Sequence, residues 1–306
     1  MGLFDSVIRL TLPLLPKMVI WGVARRYVAG SELDDALARI RTLGASGFDT
    51  IIDVLGEAIT RPEQAHAAAH EYGLAMDALA GVDPGCSISV KPTHLGLTLD
   101  RDLCEELLGQ LCHKAAAAGR RLRFEMEDSP TVDDTLAVFA KLRGEHKNLS
   151  IVLQARLFRT ADDIDRLLEA GPDLDVRLVK GIYIEPAEVA YTDADDISRN
   201  FVALSQRLVD GGAFVAFATH DSEVADACVK IVADAGLAKG PAAERHYEFQ
   251  LLMGVRAQEA ERLRQAGHHV RVYVPYGKDW HAYSMRRLAR NPEVARHVMR
   301  AFLSRS

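Results

Sequence analysis

The chain has 306 residues, 48% hydrophobic and 26% charged, and 37 basic against 43 acidic side chains leave a net charge of −6. That length suits two average domains or one large α/β barrel, and acidic residues spread along the chain argue against nucleic acid as the main partner, which favours a basic stripe. The four cysteines (Cys86, Cys104, Cys112, Cys228) form no CxxC pair and the eleven histidines no HExxH or HxH motif, so the thiols read as buried apolar groups in a reducing compartment and no metal site is expected.

No apolar run reaches the ~18 residues that a spanning helix needs. The segment from Leu3 to Val23 is rather apolar, but Pro13 and Pro16 break it, Arg9 and Lys17 punctuate it, and no small-residue cleavage site follows. It reads as an amphipathic lead-in that packs on the domain or touches a membrane surface, with the cytoplasm as the default location. Ser31 with Asp34 three residues on has the form of a capping box. Leu33, Ala36, Leu37, Ile40 and Leu43 then recur at helical spacing, and Gly44 suits the helix end.

Beyond this helix, β-rich runs alternate with helical patterns. The candidate strands are Thr50–Asp53, Ser87–Lys91, Arg121–Met126, Ile151–Gln154, Val176–Lys180, Phe214–Ala218, His246–Gln250 and Val270–Val274. The helical patterns start near Arg61 and cover Arg101–Ala118, Val132–Leu142, Ala161–Ala170, Asp196–Val209, Ser222–Ala235, Ala257–Gln265 and Asp279–Ala289. An eightfold β-then-α alternation predicts a (β/α)8 TIM-type barrel in a single domain, with residues 1–45 as an N-terminal helical lead-in and 46–306 as the barrel. A doubly wound open sheet would bring a glycine-rich phosphate turn, and neither GxGxxG nor GxxxxGK[ST] occurs.

Side chains at i, i+2 and i+4 of a strand share a face. Apolar faces such as Leu122, Phe124 and Met126, or Val270, Val272 and Val274, suit the outer helices, which turns the polar faces inward. The interior would then carry Asp53, Lys91, Arg123, Glu125, Gln154, Gln250 and Tyr273, either as an ion-pair network or as a site at the strand ends where barrel enzymes work. Arg286 and Arg287 on the last helix, with Tyr283 one turn earlier, could clamp a carboxylate, although such a pair is usually solvated surface. Strict alternation cannot place both Arg177 and Lys180 inside, so the fifth strand must bend near its end or point one of them outward. A lone barrel lysine could instead form a Schiff base, and Thr219-His220-Asp221 suits phosphate contacts. The residues themselves thus lead to a barrel enzyme that holds an acidic or phosphate-bearing ligand.

Read in order, several short segments resemble the proline dehydrogenase family: Tyr27-Val28-Ala29-Gly30, Asp53-Val54-Leu55-Gly56-Glu57, Ser89-Val90-Lys91-Pro92-Thr93, Met126-Glu127-Asp128-Ser129-Pro130 and Val152-Leu153-Gln154-Ala155. Arg177-Leu178-Val179-Lys180-Gly181, Phe217-Ala218-Thr219-His220-Asp221, Tyr247-Glu248-Phe249-Gln250, Tyr273-Val274-Pro275-Tyr276-Gly277 and Tyr283 through Arg287 continue the series over nearly the whole chain. The resemblance implies bound FAD, whose N5 takes a hydride from the ring carbon of L-proline to give Δ1-pyrroline-5-carboxylate, with a quinone as electron acceptor. It implies that Lys91, Arg286 and Arg287 hold the substrate carboxylate, that Tyr273 and Tyr283 wall the ring, and that Glu57 pairs with Arg286 as a gate. It implies flavin contacts for Gln154, Arg177, Val179, Lys180, Gly181 and Gln250, with Arg177 near N5, and ribityl-pyrophosphate contacts for Thr219 and His220. Three positions depart from the family pattern: Glu125 replaces the Asp that tethers the catalytic lysine, Arg156 stands where relatives carry Tyr, and Ile182 replaces a small Ala. Another flavin barrel such as a methylenetetrahydrofolate reductase-like protein, a Schiff-base aldolase and a redox-sensing flavin module are the competing possibilities.

Overall fold

A computed structural model of the chain describes residues 17–56, 59–83, 85–171, 173–237 and 246–290. Eight strands run in order: β1 (Asp49–Val54), β2 (Ser87–Val90), β3 (Leu122–Phe124), β4 (Leu149–Gln154), β5 (Asp175–Val179), β6 (Phe214–Ala218), β7 (Tyr247–Leu252) and β8 (Val270–Tyr276). They close into one parallel barrel, β1 pairing with β8 from Asp49↔Arg271 to Val54↔Tyr276. The helices are α1 (Lys17–Ala24), α2 (Leu33–Ala45), α3 (Pro62–Leu79), α4 (Arg101–Ala117), α5 (Val132–Glu145), α6 (Thr160–Glu169), α7 (Ala194–Asp210), α8 (Ser222–Asp234), α9 (Ala257–Gln265) and α10 (Trp280–Arg290). Short 3-10 turns at Pro92–Leu95 and Ser129–Thr131 follow β2 and β3.

The expected (β/α)8 architecture is the one observed, because each short buried strand is followed by a helix long enough to cross over. Strand β4 is buried at all 6 positions, as parallel strands covered on both faces are. Ile52, Val54, Ile88, Val90, Phe124 and Phe249 pack with helix residues such as Phe139 and Phe201 in the layer outside the barrel. Aspartates cap three of the crossover helices where they start at the barrel's C-terminal face: Asp100 accepts from Leu103 N–H, Asp193 from Asp195 and Asp196 N–H, and Asp221 from Glu223 and Val224 N–H.

Boundaries differ where local chemistry overrides pattern. The first patterned helix is entered through Glu32, whose N–H donates to Asp35 Oδ2 at 3.2 Å, rather than through Ser31 and Asp34. It also runs past Gly44 to Ala45, and the chain reverses at Gly47, whose φ of +81° favours glycine. Helix α1 lies within the expected N-terminal helical lead-in, although its eight residues gave no bounds of their own. It packs on α10, Trp21 meeting Trp280 edge-on with ring centroids 4.7 Å apart. Strand β3 is shorter than expected and leaves the sheet at Phe124, whereas β8 continues through Pro275 to Tyr276. Among the described residues no helix is long and apolar enough to cross a membrane.

Candidate active site

The polar strand faces do turn inward, and four ion pairs stack along the barrel axis. Near the floor, Arg271 Nε donates to Glu248 Oε1 at 2.8 Å, and Arg123 Nη2 to Asp175 Oδ1 at 3.1 Å. Burial opposes the Glu248 charge, but Arg271 outweighs it and holds the carboxyl down at about 2. Arg123 is pushed down to about 10 by the same burial, against the pull of Asp175.

The middle of the barrel is organised around Glu125. Its Oε1 accepts from Arg177 Nη1 at 2.5 Å, from Tyr273 Oη at 3.2 Å and from the Ser89 hydroxyl. The Arg177 guanidinium also lies 5.0 Å from the Tyr273 ring centroid, and its Nε donates to Gln250 Oε1 at 2.6 Å. Burial works against the Glu125 charge, yet Arg177, Ser89 and Lys91 prevail and keep its carboxyl below the usual range. Burial raises the Tyr273 phenol well above its ordinary value, helped by Asp53, Glu125 and the nearby Tyr283, so Tyr273 stays a neutral donor.

At the mouth, Lys91 stands one residue past β2 and donates to Asp53 Oδ1 on β1 at 2.7 Å. Burial disfavours the Lys91 charge, but Asp53 and Tyr72 raise its pKa above the usual lysine range. Tyr72 on α3 takes the Lys91 N–H at 3.4 Å and lies 3.5 Å from His94 Nδ1. The lysine is therefore tethered by Asp53, whereas Glu125, at the position whose Asp tethers the lysine in the family pattern, pairs with Arg177 on β5.

The opposite half of the rim is built by β4, β5 and β6. Strand β5 ends at Val179 with Arg177 inside, and Lys180 then turns onto the rim. There its Nζ donates to Ser198 Oγ at 2.6 Å and Asp221 Oδ2 at 2.8 Å, which resolves the alternation conflict. Gly181 follows at φ +96°; a Cβ there would lie 2.8 Å from Gln154 Oε1. Gln154 donates to the Glu127 carbonyl at 2.7 Å, while Thr219 Oγ1 accepts from Asp221 N–H at 3.1 Å and His220 Nε2 from Leu252 N–H at 3.4 Å.

The structure therefore gathers Lys91, Glu125, Arg177, Gln250 and Tyr273 into one network and sets Gln154, Lys180, Gly181, Thr219 and His220 along the adjoining rim. Glu57 lies outside the described residues. Arg286 and Arg287 fall on α10, but their side chains are likewise outside the description. Site partners not singled out from sequence are Glu248 and Asp175 on the floor and Glu127, which accepts from Thr93 Oγ1 at 2.8 Å. The Tyr-Glu-Phe-Gln alternation of β7 could have placed Glu248 beside Gln250.

A polar barrel mouth of this kind occurs in many enzymes, so the family must come from sequence kinship. The model of the proline dehydrogenase family matches residues 36–300. The chain belongs to the proline dehydrogenase family. It is 34% identical over 282 residues to proline dehydrogenase 1 of Bacillus subtilis (strain 168), covering 92% of this chain and 91% of that one. It is 33% identical over 296 residues to the proline dehydrogenase of Deinococcus radiodurans, covering 94% and 93%. A crystal structure of proline utilization A from Bdellovibrio bacteriovorus inactivated by N-propargylglycine superposes with a TM-score of 0.80 at 24% identity. That match covers 87% of this chain but 32% of the longer one, and it bears on fold alone. As a proline dehydrogenase, the protein is an oxidoreductase that oxidises proline in the first step of proline catabolism.

Proposed function

We propose that the enzyme binds FAD non-covalently and converts L-proline to Δ1-pyrroline-5-carboxylate, passing electrons to a quinone-type acceptor from the cytoplasm, with contact at the inner membrane surface. Residues 46–306 form the catalytic barrel in this reading, and 1–45 its lead-in. The observation that carries it is Arg177, a buried guanidinium whose Nη2 has no partner within the protein. An unpaired buried cationic donor costs about 1–3 kcal/mol, which a flavin acceptor atom offsets. Gly181 fits the same group, since its missing side chain leaves the backbone beside Gln154 open to close approach.

FAD would supply the two-electron acceptor at its N5, and Gln154, Arg177, Val179, Lys180, Gly181 and Gln250 would hold the ring system, with Thr219 and His220 toward the ribityl-pyrophosphate. Positive charge from Arg177 and Lys180 favours the reduced, anionic cofactor. Lys91, Arg286 and Arg287 would bind the proline carboxylate; Tyr273 and Tyr283 would wall its ring, and Glu57 would close over it by pairing with Arg286. The amine must be neutral to react. Lys91 cannot take its proton, because Asp53 keeps the lysine protonated. The test is denaturation of purified protein and chromatography of the released cofactor: FAD is expected, and FMN or no flavin overturns the proposal.

A further inference from the structure

Strand β2 ends at Val90, whose carbonyl accepts Glu125 N–H at 2.9 Å as the last rung toward β3. Lys91 then leaves the sheet and leads into the 3-10 turn Pro92–Leu95. A chain that leaves a ladder this way carries amides without strand partners, and buried amides must find others. Within the turn, His94 N–H donates to Lys91 O at 3.0 Å and Leu97 N–H to Pro92 O at 3.0 Å. Pro92 has no N–H to satisfy. Side chains take the amides on either side of it: Tyr72 Oη accepts Lys91 N–H at 3.4 Å, and Glu127 Oε2 accepts Thr93 N–H at 3.3 Å.

Glu127 makes two further bonds. Its Oε1 accepts the Thr93 hydroxyl at 2.8 Å, so both carboxylate oxygens grip one residue two positions past Lys91. Its own carbonyl accepts Gln154 Nε2 of β4 at 2.7 Å, with the Gln154 amide oxygen beside Gly181. Thr93, Glu127 and Gln154 are all buried, where a carboxylate is tolerated only if well satisfied and its bonds are shielded from water. One residue thus spans the two halves of the rim. Its carboxylate holds the turn that carries Lys91, and its backbone holds a side chain of the proposed flavin cradle.

We propose that Glu127 is a positioning residue for proline oxidation, setting the Lys91 ammonium at a fixed distance from the flavin side of the mouth through Thr93 and Gln154. The inference rests on the reading of Lys91 as an anchor for the substrate carboxylate. Asp53 supplies the countercharge of the lysine, and Glu127 fixes where the lysine stands. Hydride transfer is sensitive to such placement, since a misplacement of about 1 Å can cost about 100-fold in rate. A carboxylate that merely capped the turn would stabilise the fold without acting through Lys91.

The experiment is a double-mutant cycle between Glu127→Ala and Lys91→Met, read as kcat/KM for proline in the holoenzyme, with Glu127→Gln as the conservative variant. Glu127→Ala should lower kcat/KM at least about tenfold. Glu127→Gln should recover most of that loss, because its amide oxygen accepts Thr93 N–H while its NH2 donates to Thr93 Oγ1. In the Lys91→Met background Glu127→Ala should change kcat/KM by less than about twofold, the non-additivity of residues that act through one group. Equal factors in the two backgrounds overturn the proposal, as does wild-type kcat/KM in Glu127→Ala. If Glu127→Ala folds poorly, Thr93→Val removes the hydroxyl bond, leaves the carboxylate in place and carries the same cycle, with an expected loss of about fivefold that Lys91→Met again suppresses. Unchanged kcat/KM in Lys91→Met alone strikes at the carboxylate reading, and the proposal falls with it. An impaired Lys91→Met with an additive Glu127→Ala strikes at the proposal alone.

Discussion

Lys91 on the turn after β2 and Asp53 on β1 form a 2.7 Å ion pair at the mouth of the barrel. The lysine is mostly buried and the aspartate almost wholly so, so each charge depends on the other. Lys91→Met should lower kcat/KM for proline by about 10- to 100-fold with flavin content unchanged, as expected for loss of a charge-assisted bond to a carboxylate worth about 1.5–3 kcal/mol. Asp53→Asn keeps a hydrogen-bonding partner but removes the charge that raises the Lys91 pKa. Its kcat/KM should therefore fall away at lower pH on the alkaline side than wild type. A profile superimposable on wild type would remove Asp53 as the group that keeps the lysine charged.

The carboxylate clamp assigned to the last helix is tested by Arg287→Met. KM for proline should rise and kcat/KM fall by at least about tenfold, with FAD retained. Unchanged kcat/KM would return Arg287 to the solvated face of α10.

Tyr273 is locked by Glu125 at its hydroxyl and by Arg177 over its ring, and an aromatic wall so fixed has little freedom to admit a larger substrate. A 4-hydroxyl pressed against it loses water without gaining a partner, at a cost of about 1–3 kcal/mol. Proline should exceed trans-4-hydroxy-L-proline by at least about tenfold in kcat/KM, and Tyr273→Ser should narrow that ratio, chiefly by lowering proline activity. Equal kcat/KM for both substrates, or a ratio that Tyr273→Ser leaves alone, would show that Tyr273 only packs the barrel mouth.

His94 gives a pH dependence of stability. Burial, and then the Lys91 charge, push its pKa from 6.5 down to about 4. The unfolded chain therefore binds a proton between these values that the folded chain refuses, and stability falls as pH drops through that window. The contribution is on the order of 3 kcal/mol between pH 7 and 4. In denaturant titrations the stability difference between wild type and His94→Asn should shrink by much of that amount on going from pH 7 to 4.5. A pH-independent difference would mean that His94 acts through packing against Gly56 alone, where an added Cβ would lie 2.0 Å from its ring.

Much of the barrel was legible because strand burial and helix periodicity are local signals. β6 and α9 fall at their expected bounds. The inward face was legible for the same reason, since Lys91, Arg123, Glu125, Gln250 and Tyr273 alternate with apolar neighbours. Partner choice was not. Alternation sends Glu125 inward, but its choice of Arg177 over Lys91 depends on side-chain reach across the lumen. Lys180 could not be placed from strand period, because its position depends on where β5 ends and on a pairing with Asp221, 41 residues away. Helix α1 was legible only as part of an apolar lead-in, because the element it packs on, α10, is distant in the chain.

The central claim is that proline delivers two electrons to FAD held at this barrel mouth. The most direct measurement is the visible absorption spectrum of the purified protein before and after anaerobic addition of L-proline. The account predicts oxidised flavin bands that bleach with proline and return with a quinone. A protein without flavin bands, or with bands that proline leaves unchanged, would contradict it.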